Sequence, residues 1–337
     1  MYHRGTSRAQ TVPVAPVTGR RHPSRAQLVF GFAAIYLIWG STYLGIRYAV
    51  ETIPPLLMMA VRHSVAGIIV YVWARYRGAE SPTLKQWMYA GIAGTILFLG
   101  GHGTLAWAEQ KVPSGLAALL CATLPLWTVL LAWIYRSEHK LEAKAWAGIL
   151  LGFAGVAILI GPDALRAHGS LDLLAAGTVM FGSFAWAVGT AYSHGVKLPS
   201  STVLSAAMQM IGGGSSLYVA SIFSGEMSNV HLAAFTVRSV GALAYLIVFG
   251  SIIAFTVFTW LVSVCPQSRV STYAYVNPVV AVFLGWVLAG EAIGIHTIVA
   301  TIVILAGVAL VSTRTKGEAQ AKTETEPLPG QECEIAS

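Results

Sequence analysis

Along the chain, long apolar runs alternate with short polar connectors. The runs lie at about 28–48, 55–76, 86–107, 114–135, 143–161, 171–192, 202–224, 239–260, 267–288 and 295–313. Each is close to the roughly 20 apolar residues a helix needs to cross the hydrocarbon core of a bilayer. The connectors hold turn formers: Pro54-Pro55, Gly78 to Pro82, Pro113, Gly161-Pro162, Pro199 and Pro266. Unpaired backbone in hydrocarbon is costly, so runs this long span as helices. The pattern predicts an all-α polytopic membrane protein with ten transmembrane helices.

The sequence also repeats. At an offset of 153, Trp107 meets Trp260, Pro113 meets Pro266, Pro125 meets Pro278, Trp133 meets Trp286 and Glu138 meets Glu291. At 147, Arg62, Gly67 and Tyr71 meet Gln209, Gly214 and Tyr218, and at 142 Gly40-Ser41 meets Gly182-Ser183. Taken in order, these matches define two halves of five helices, 28–162 and 171–313. Five is odd, so the second half is expected upside down relative to the first. Inverted repeats of this kind build carriers whose halves rock about a midplane site.

Charge then orients the chain. With both termini in the cytoplasm, 16 Lys and Arg fall in cytoplasmic segments and four outside, the remaining one being Arg62 within a span. That split follows the positive-inside rule. It makes residues 1–27 a cytoplasmic tail and 314–337 a disordered cytoplasmic tail. Only 10% of the 337 residues are charged and 55% are apolar, too few charges to cover a soluble protein of this size. The net charge of +7 is spread over connectors and tails, not one face, which argues against a nucleic-acid partner. The three cysteines have no metal spacing and imply no disulfide framework. No P-loop, zinc spacing or nucleophile elbow occurs, so no cofactor or metal is expected.

Several segments carry a resemblance. Trp39-Gly40-Ser41 with Ile46-Arg47, Ala60-Val61-Arg62, Val112-Pro113-Ser114 leading to Pro125, Glu138, and Ala154-Gly155-Val156 occupy the first half. Trp186-Ala187, Asn277-Pro278, Glu291 and Ala306-Gly307-Val308 occupy the second. In this order over residues 28–313 they resemble EamA-type carriers of the drug/metabolite transporter superfamily. The resemblance implies a metabolite carrier, often an exporter of amino acids or related small molecules, in a bacterial cytoplasmic membrane. It also implies that helices five and ten are peripheral scaffold and that the aromatics Trp39, Tyr43, Trp186, Tyr273 and Tyr275 lie on spans lining the cavity, with Ser41 a further candidate substrate contact.

All 14 Asp and Glu fall in tails, connectors or helix ends, which argues against a carboxylate relay at the midplane. Arg62, His63 and His102 are the ionisable residues well inside a span, and such residues are functional candidates by default. Arg62 can bind a substrate carboxylate through its planar fork, or pair structurally with Glu109 or Glu51. His63 and His102 can titrate near neutral pH and couple transport to protons, or be ordinary hydrogen-bond partners. Glu109 is a candidate gate or proton acceptor, with protons the candidate coupling ion. Gln209 and Asn277 offer neutral polar contacts. Pro125 and Pro278 are expected to kink the fourth and ninth helices. Gly148, Gly152 and Gly155, and Gly212 to Gly214, form small faces for close helix approach. Glu138 and Glu291 are expected to cap or gate.

The leading expectation is therefore a secondary carrier of a small-molecule substrate, monomer or homodimer, working by alternating access. Its main rival is an integral-membrane enzyme acting on a lipid-linked substrate, for which Glu109 with His102 is the available acid/base pair. A receptor is a third reading, disfavoured by the short soluble segments.

Overall fold

The computed structural model describes residues 23–135, 143–165, 172–265 and 267–312. Most of both expected tails, together with Glu138 and Pro266, lies outside the described residues.

Every regular element among the described residues is helical. In order they are α1 (Arg25–Ala49), α2 (Pro55–Tyr76), α3 (Leu84–Gly94), a π-helical stretch π1 (Thr95–Gly103), α4 (Thr104–Ala108), α5 (Ser114–Cys121), α6 (Leu124–Tyr135), α7 (Ala143–Leu165), α8 (Leu173–Gly195) and α9 (Thr202–Phe223). Two short 3-10 turns lead to α10 (Val237–Tyr245), a second π-helical stretch π2 (Leu246–Ile253), α11 (Ala254–Val264), α12 (Gln267–Val270), α13 (Tyr273–Ala289) and α14 (Ile295–Ser312). Six helical stretches are long and apolar enough to cross a membrane, and two shorter apolar helices accompany them.

Local chemistry explains the helix starts. Ser24 accepts from the Gln27 amide while the Gln27 side chain accepts from the Ser24 amide. This reciprocal cap starts α1 at Arg25, ahead of the expected Leu28. Thr83 and Gln86 do the same for α3, and Ser201, Asp172 and Thr236 cap α9, α8 and α10. The Ala175 amide and the Lys111 ammonium hold the half-buried Asp172 carboxyl below the usual carboxylate range. α2 and α5 differ: they follow Pro54 and Pro113, which have no capping oxygen. Their first amides donate instead to carboxylates from far along the chain. The Leu56 and Leu57 amides donate to Glu226, at 3.2 and 3.0 Å. The Ser114 and Gly115 amides donate to Glu291, at 2.7 and 3.0 Å.

These contacts join the connectors 50–54, 109–113, 224–236 and 290–294 at one end of the bundle, called distal because α1 starts at the other. Tyr48 Oη donates to the Leu288 carbonyl at 2.9 Å there, Arg238 pairs with Glu51 at 3.5 Å, and Lys111 pairs with Asp172 at 3.0 Å. At the proximal end a cleft of about 320 Å³ opens between the ends of α2 and α9, against Arg77, Ala79, Ser201 and Val203.

Small residues let the backbones approach, as membrane bundles require where lipid gives helices little hydrophobic reason to associate. α2 crosses α9 at Gly67 and Gly214: a Cβ on Gly67 would lie 3.0 Å from the Ile211 nitrogen, and one on Gly214 2.8 Å from the Ser64 nitrogen. α7 packs on α14, where a Cβ on Gly307 would lie 2.5 Å from the Gly152 nitrogen. The contacts are reciprocal across the chain. α1 packs on α10, π2, α11 and α13, while α8 packs on α3, π1, α4, α5 and α6.

The two prolines behave differently from each other. Pro125 follows a break at residues 122–123 and is the second residue of α6, where its missing N–H goes unnoticed. Thr123 Oγ1 donates to the Leu120 carbonyl at 2.6 Å across that break. Pro278 lies inside α13.

Candidate functional site

The crossing of α2 and α9 places Arg62 and His63 side by side in the interior, 4% and 1% exposed. They point into two different clusters, each completed by a π-helical stretch. π-helical turns inside α-helices are frequent at functional sites.

In the first cluster the Arg62 Nε donates to Ser251 Oγ on π2 at 3.0 Å, and Nη1 lies 3.9 Å from the Met59 sulfur. A Cβ on Gly250 would stand 3.3 Å from Arg62 Nη2, so glycine there leaves room for the guanidinium. The Gly250 carbonyl accepts from Trp39 Nε1 at 3.1 Å. Trp39 packs edge-on to Tyr273, ring centroids 5.0 Å apart, and against Phe258 at 5.2 Å. Ser41 Oγ and Tyr245 Oη lie 2.6 Å apart two residues along α1 from Trp39. Asn277 lies beside them on α13, where a Cβ on Gly40 would be 3.2 Å from its backbone carbonyl oxygen; Asn277 is 7% exposed and its Oδ1 has no hydrogen-bond partner among the described residues.

The second cluster is aromatic. His63 Nε2 and His102 Nδ1 are 3.0 Å apart, so one imidazole donates to the other. The rings stack at 5.0 Å and 18°, with Phe98 of π1 against His63 and Trp186 of α8 against His102. Thr104 at the end of π1 donates its hydroxyl to the Gly101 carbonyl at 2.8 Å, and its Oγ1 would lie 2.5 Å from a Cβ on Gly182.

A third group lies distal to both. Tyr43 is half-buried against Cys121, one of the cysteines without metal or disulfide spacing. Glu109 is fully buried and neither carboxylate oxygen has a hydrogen-bond partner among the described residues. Arg47 donates to its backbone carbonyl instead.

Two pairings expected from sequence give way. Arg62 does not pair with Glu51, which faces Arg238, or with Glu109, whose oxygens are unpartnered. The partner of His102 is His63 rather than Glu109, so the acid/base pair an interfacial enzyme would need is not assembled. Gln209, the repeat counterpart of Arg62, donates to Ser205 on its own helix at 3.2 Å and joins neither cluster through a hydrogen bond. Sequence reasoning missed Ser251, Gly250, Tyr245 and Phe98. The signal that could have found them is the pair of Gly-containing apolar stretches 95–103 and 246–253, which sit at nearly the repeat offset.

Chemically, the first cluster is a buried cation with one oxygen partner and aromatic walls. Its remaining N–H donors suit an anionic or carbonyl group of a small ligand, since guanidinium presents a planar fork to such acceptors.

The family model described as the EamA-like transporter family matches residues 27–161 and, a second time, residues 173–313. The chain is 37% identical over 283 residues to the uncharacterized inner membrane transporter YedA of Escherichia coli strain K12, covering 83% of this chain and 88% of that protein. It is 23% identical to the uncharacterized transporter YoaV of Bacillus subtilis, over 84% of this chain and 95% of that one. A solved crystal structure that is 20% identical aligns with a TM-score of 0.59, over 86% of this chain and 99% of its own, and so shares the fold.

Proposed function

This chain belongs to the EamA-like transporter family, and from that premise we propose that it is a secondary carrier that exports a small metabolite, an amino acid or a related compound, by alternating access. It is an integral inner-membrane protein, as its YedA relative is named. In this reading ten helices span the membrane as two inverted five-helix repeats, both termini face the cytoplasm, and the distal end faces outward.

The observation that carries the reading is the position of Arg62. A guanidinium 4% exposed, with Ser251 as its one oxygen partner among the described residues, sits where α2 of one half meets π2 of the other. A buried charge so thinly partnered is costly, and a ligand that supplies acceptors offsets that cost. The reciprocal packing of α1 on the second half and α8 on the first supports rocking of the halves about that point. Trp39, Ser41, Tyr43, Trp186, Tyr273 and Asn277 supply walls and polar contacts; Glu109 is the group through which protons would drive exchange, with the hydrogen-bonded pair His63 and His102 as the alternative.

The test is efflux from proteoliposomes loaded with amino acids and related metabolites, with and without an imposed pH gradient. Efflux of one class, lost in Arg62→Gln, is the expected result. Folded protein that moves none of them, or an R62Q variant that transports normally, overturns the reading.

A further inference from the structure

We propose that Glu291 is a latch that holds the distal end closed, and that loss of a proton from the neighbouring Glu109 releases it. The inference rests on the carrier reading for its purpose, though its contacts stand without it.

The latch is built for its carboxylate. Glu291 comes from the connector between α13 and α14, 177 residues from its partners in sequence, and takes three hydrogen bonds at the start of α5. Oε1 accepts from the Ser114 amide at 2.7 Å and from its hydroxyl at 2.8 Å; Oε2 accepts from the Gly115 amide at 3.0 Å. The slot is shaped by glycine: a Cβ on Gly285 would stand 2.4 Å from Oε2, and one on Gly115 3.4 Å from it. Gly290, in the left-handed region at φ 66°, turns the chain so that the next residue points back at α5. α5 has no cap of its own because Pro113 precedes it, so the tie satisfies amides that would otherwise be orphaned. It fastens the second half of the chain to the first and can be undone by moving one side chain.

Glu109 opens the connector 109–113 that leads into α5, five residues before Ser114. Its carboxyl has no structural bond to lose when its charge changes. The charged and titratable groups around it pull in opposite directions. Burial and the Glu291 carboxylate favour the neutral acid; Arg47 of α1 and Arg62 of α2 favour the carboxylate. Tyr43 of α1 and Cys121 of α5 complete its surroundings. On the elements packed beside α4, Asp172 is already paired with Lys111, and His102 and His63 are paired with each other.

The neutral Glu109 leaves the latch undisturbed. Ionised Glu109, itself buried, sets a second negative charge in the field of the half-buried Glu291, and the like charges repel. The proton goes to water in the interior when the proximal end is open, and returns from the distal side. Each cycle then exchanges one proton inward for substrate outward.

The native Cys121 thiol, some two turns below Ser114, reports on opening. In spheroplasts expressing the full chain with Cys265→Ala and Cys333→Ser, a membrane-impermeant maleimide is added outside. Its rate is measured from pH 5.5 to 8.5 and divided by the rate on the denatured chain at the same pH. The expected normalised rate rises with pH in the parent, stays low throughout in Glu109→Gln, and is high throughout, by about 10-fold over the parent at low pH, in Glu291→Ala. Ser114→Ala, which removes one of three hydrogen bonds, gives a smaller rise and guards against misfolding of E291A. A parent-like pH rise in E109Q, or E291A and S114A that label no faster than the parent, overturns the latch. Metabolite efflux with pH-independent labelling sinks the latch and leaves the carrier; the predicted labelling without efflux of any metabolite sinks the carrier and leaves the latch.

Discussion

Gly285→Ala sets two effects of opposite sign against each other. Alanine is the better helix former, and inside α13 the exchange is worth up to about 1 kcal/mol of stability. The added methyl, however, would lie 2.4 Å from Glu291 Oε2 and 2.9 Å from its Cδ, closer than non-bonded atoms approach. The carboxylate must withdraw, and Ser114 and Gly115 lose hydrogen bonds to a charged acceptor, each worth about 1.5–3 kcal/mol. Partial loss of the three outweighs the helical gain by about 2 kcal/mol, which for a chain of 337 residues is a fall in Tm of about 3 °C. Thermal unfolding of the purified protein in detergent, followed by tryptophan fluorescence, reads that shift. Gly177→Ala in α8 is the control, because a Cβ there meets no atom within 4 Å; its Tm should hold or rise slightly. A G285A protein as stable as G177A would refute the argument that the slot is shaped around Glu291.

Arg62→Gln should reduce transport by about 100-fold with the fold retained, the equivalent of about 2.8 kcal/mol of lost charge-assisted contact, whereas Ser251→Ala, which removes one neutral partner, should cost about 5-fold; equal effects of the two in flux assays would mean that Arg62 only braces π2. The pH profile of transport should flatten in Glu109→Gln and keep its shape in His102→Gln, since the histidines satisfy each other; the reverse pattern would move proton coupling to the imidazole pair. Gly307→Val should lower Tm by several degrees while leaving transport per folded molecule unchanged, because α7 and α14 touch backbone to backbone there and overpacking costs about 1–3 kcal/mol; a transport defect at full stability would show that these helices do more than support the bundle.

The apolar pattern carried most of the helical architecture. The expected 55–76 run coincides with α2, and the glycine faces at 148–155 and 212–214 meet partners at backbone distance. The spacing of Ser24 and Gln27 is that of a reciprocal cap, and it sets the start of α1 ahead of the apolar run. What stayed hidden depends on tertiary neighbours. Nothing local announces that Ser251 will face Arg62, or that His63 and His102 will choose each other over Glu109, because those choices are made where separate helices cross. The π-helical stretches were illegible for a related reason: apolar periodicity does not separate 3.6 from about 4.4 residues per turn over eight or nine positions. Capping by Glu291 was expected from its place at a helix end, but its partner, the start of α5, becomes visible only when α13 and α5 lie side by side.

The borrowed caps of α2 and α5 also bear on synthesis. A ribosome makes residues 55 and 114 long before residues 226 and 291. Until those glutamates emerge, two helices of the nascent chain wait with their first amides unanswered, at the level of the lipid headgroups or in the insertion machinery. The distal end is therefore finished in two steps, α2 when residue 226 arrives and α5 when residue 291 does. A chain truncated after α9 should enter the membrane with an unfinished distal end and be the form that quality-control proteases recognise there.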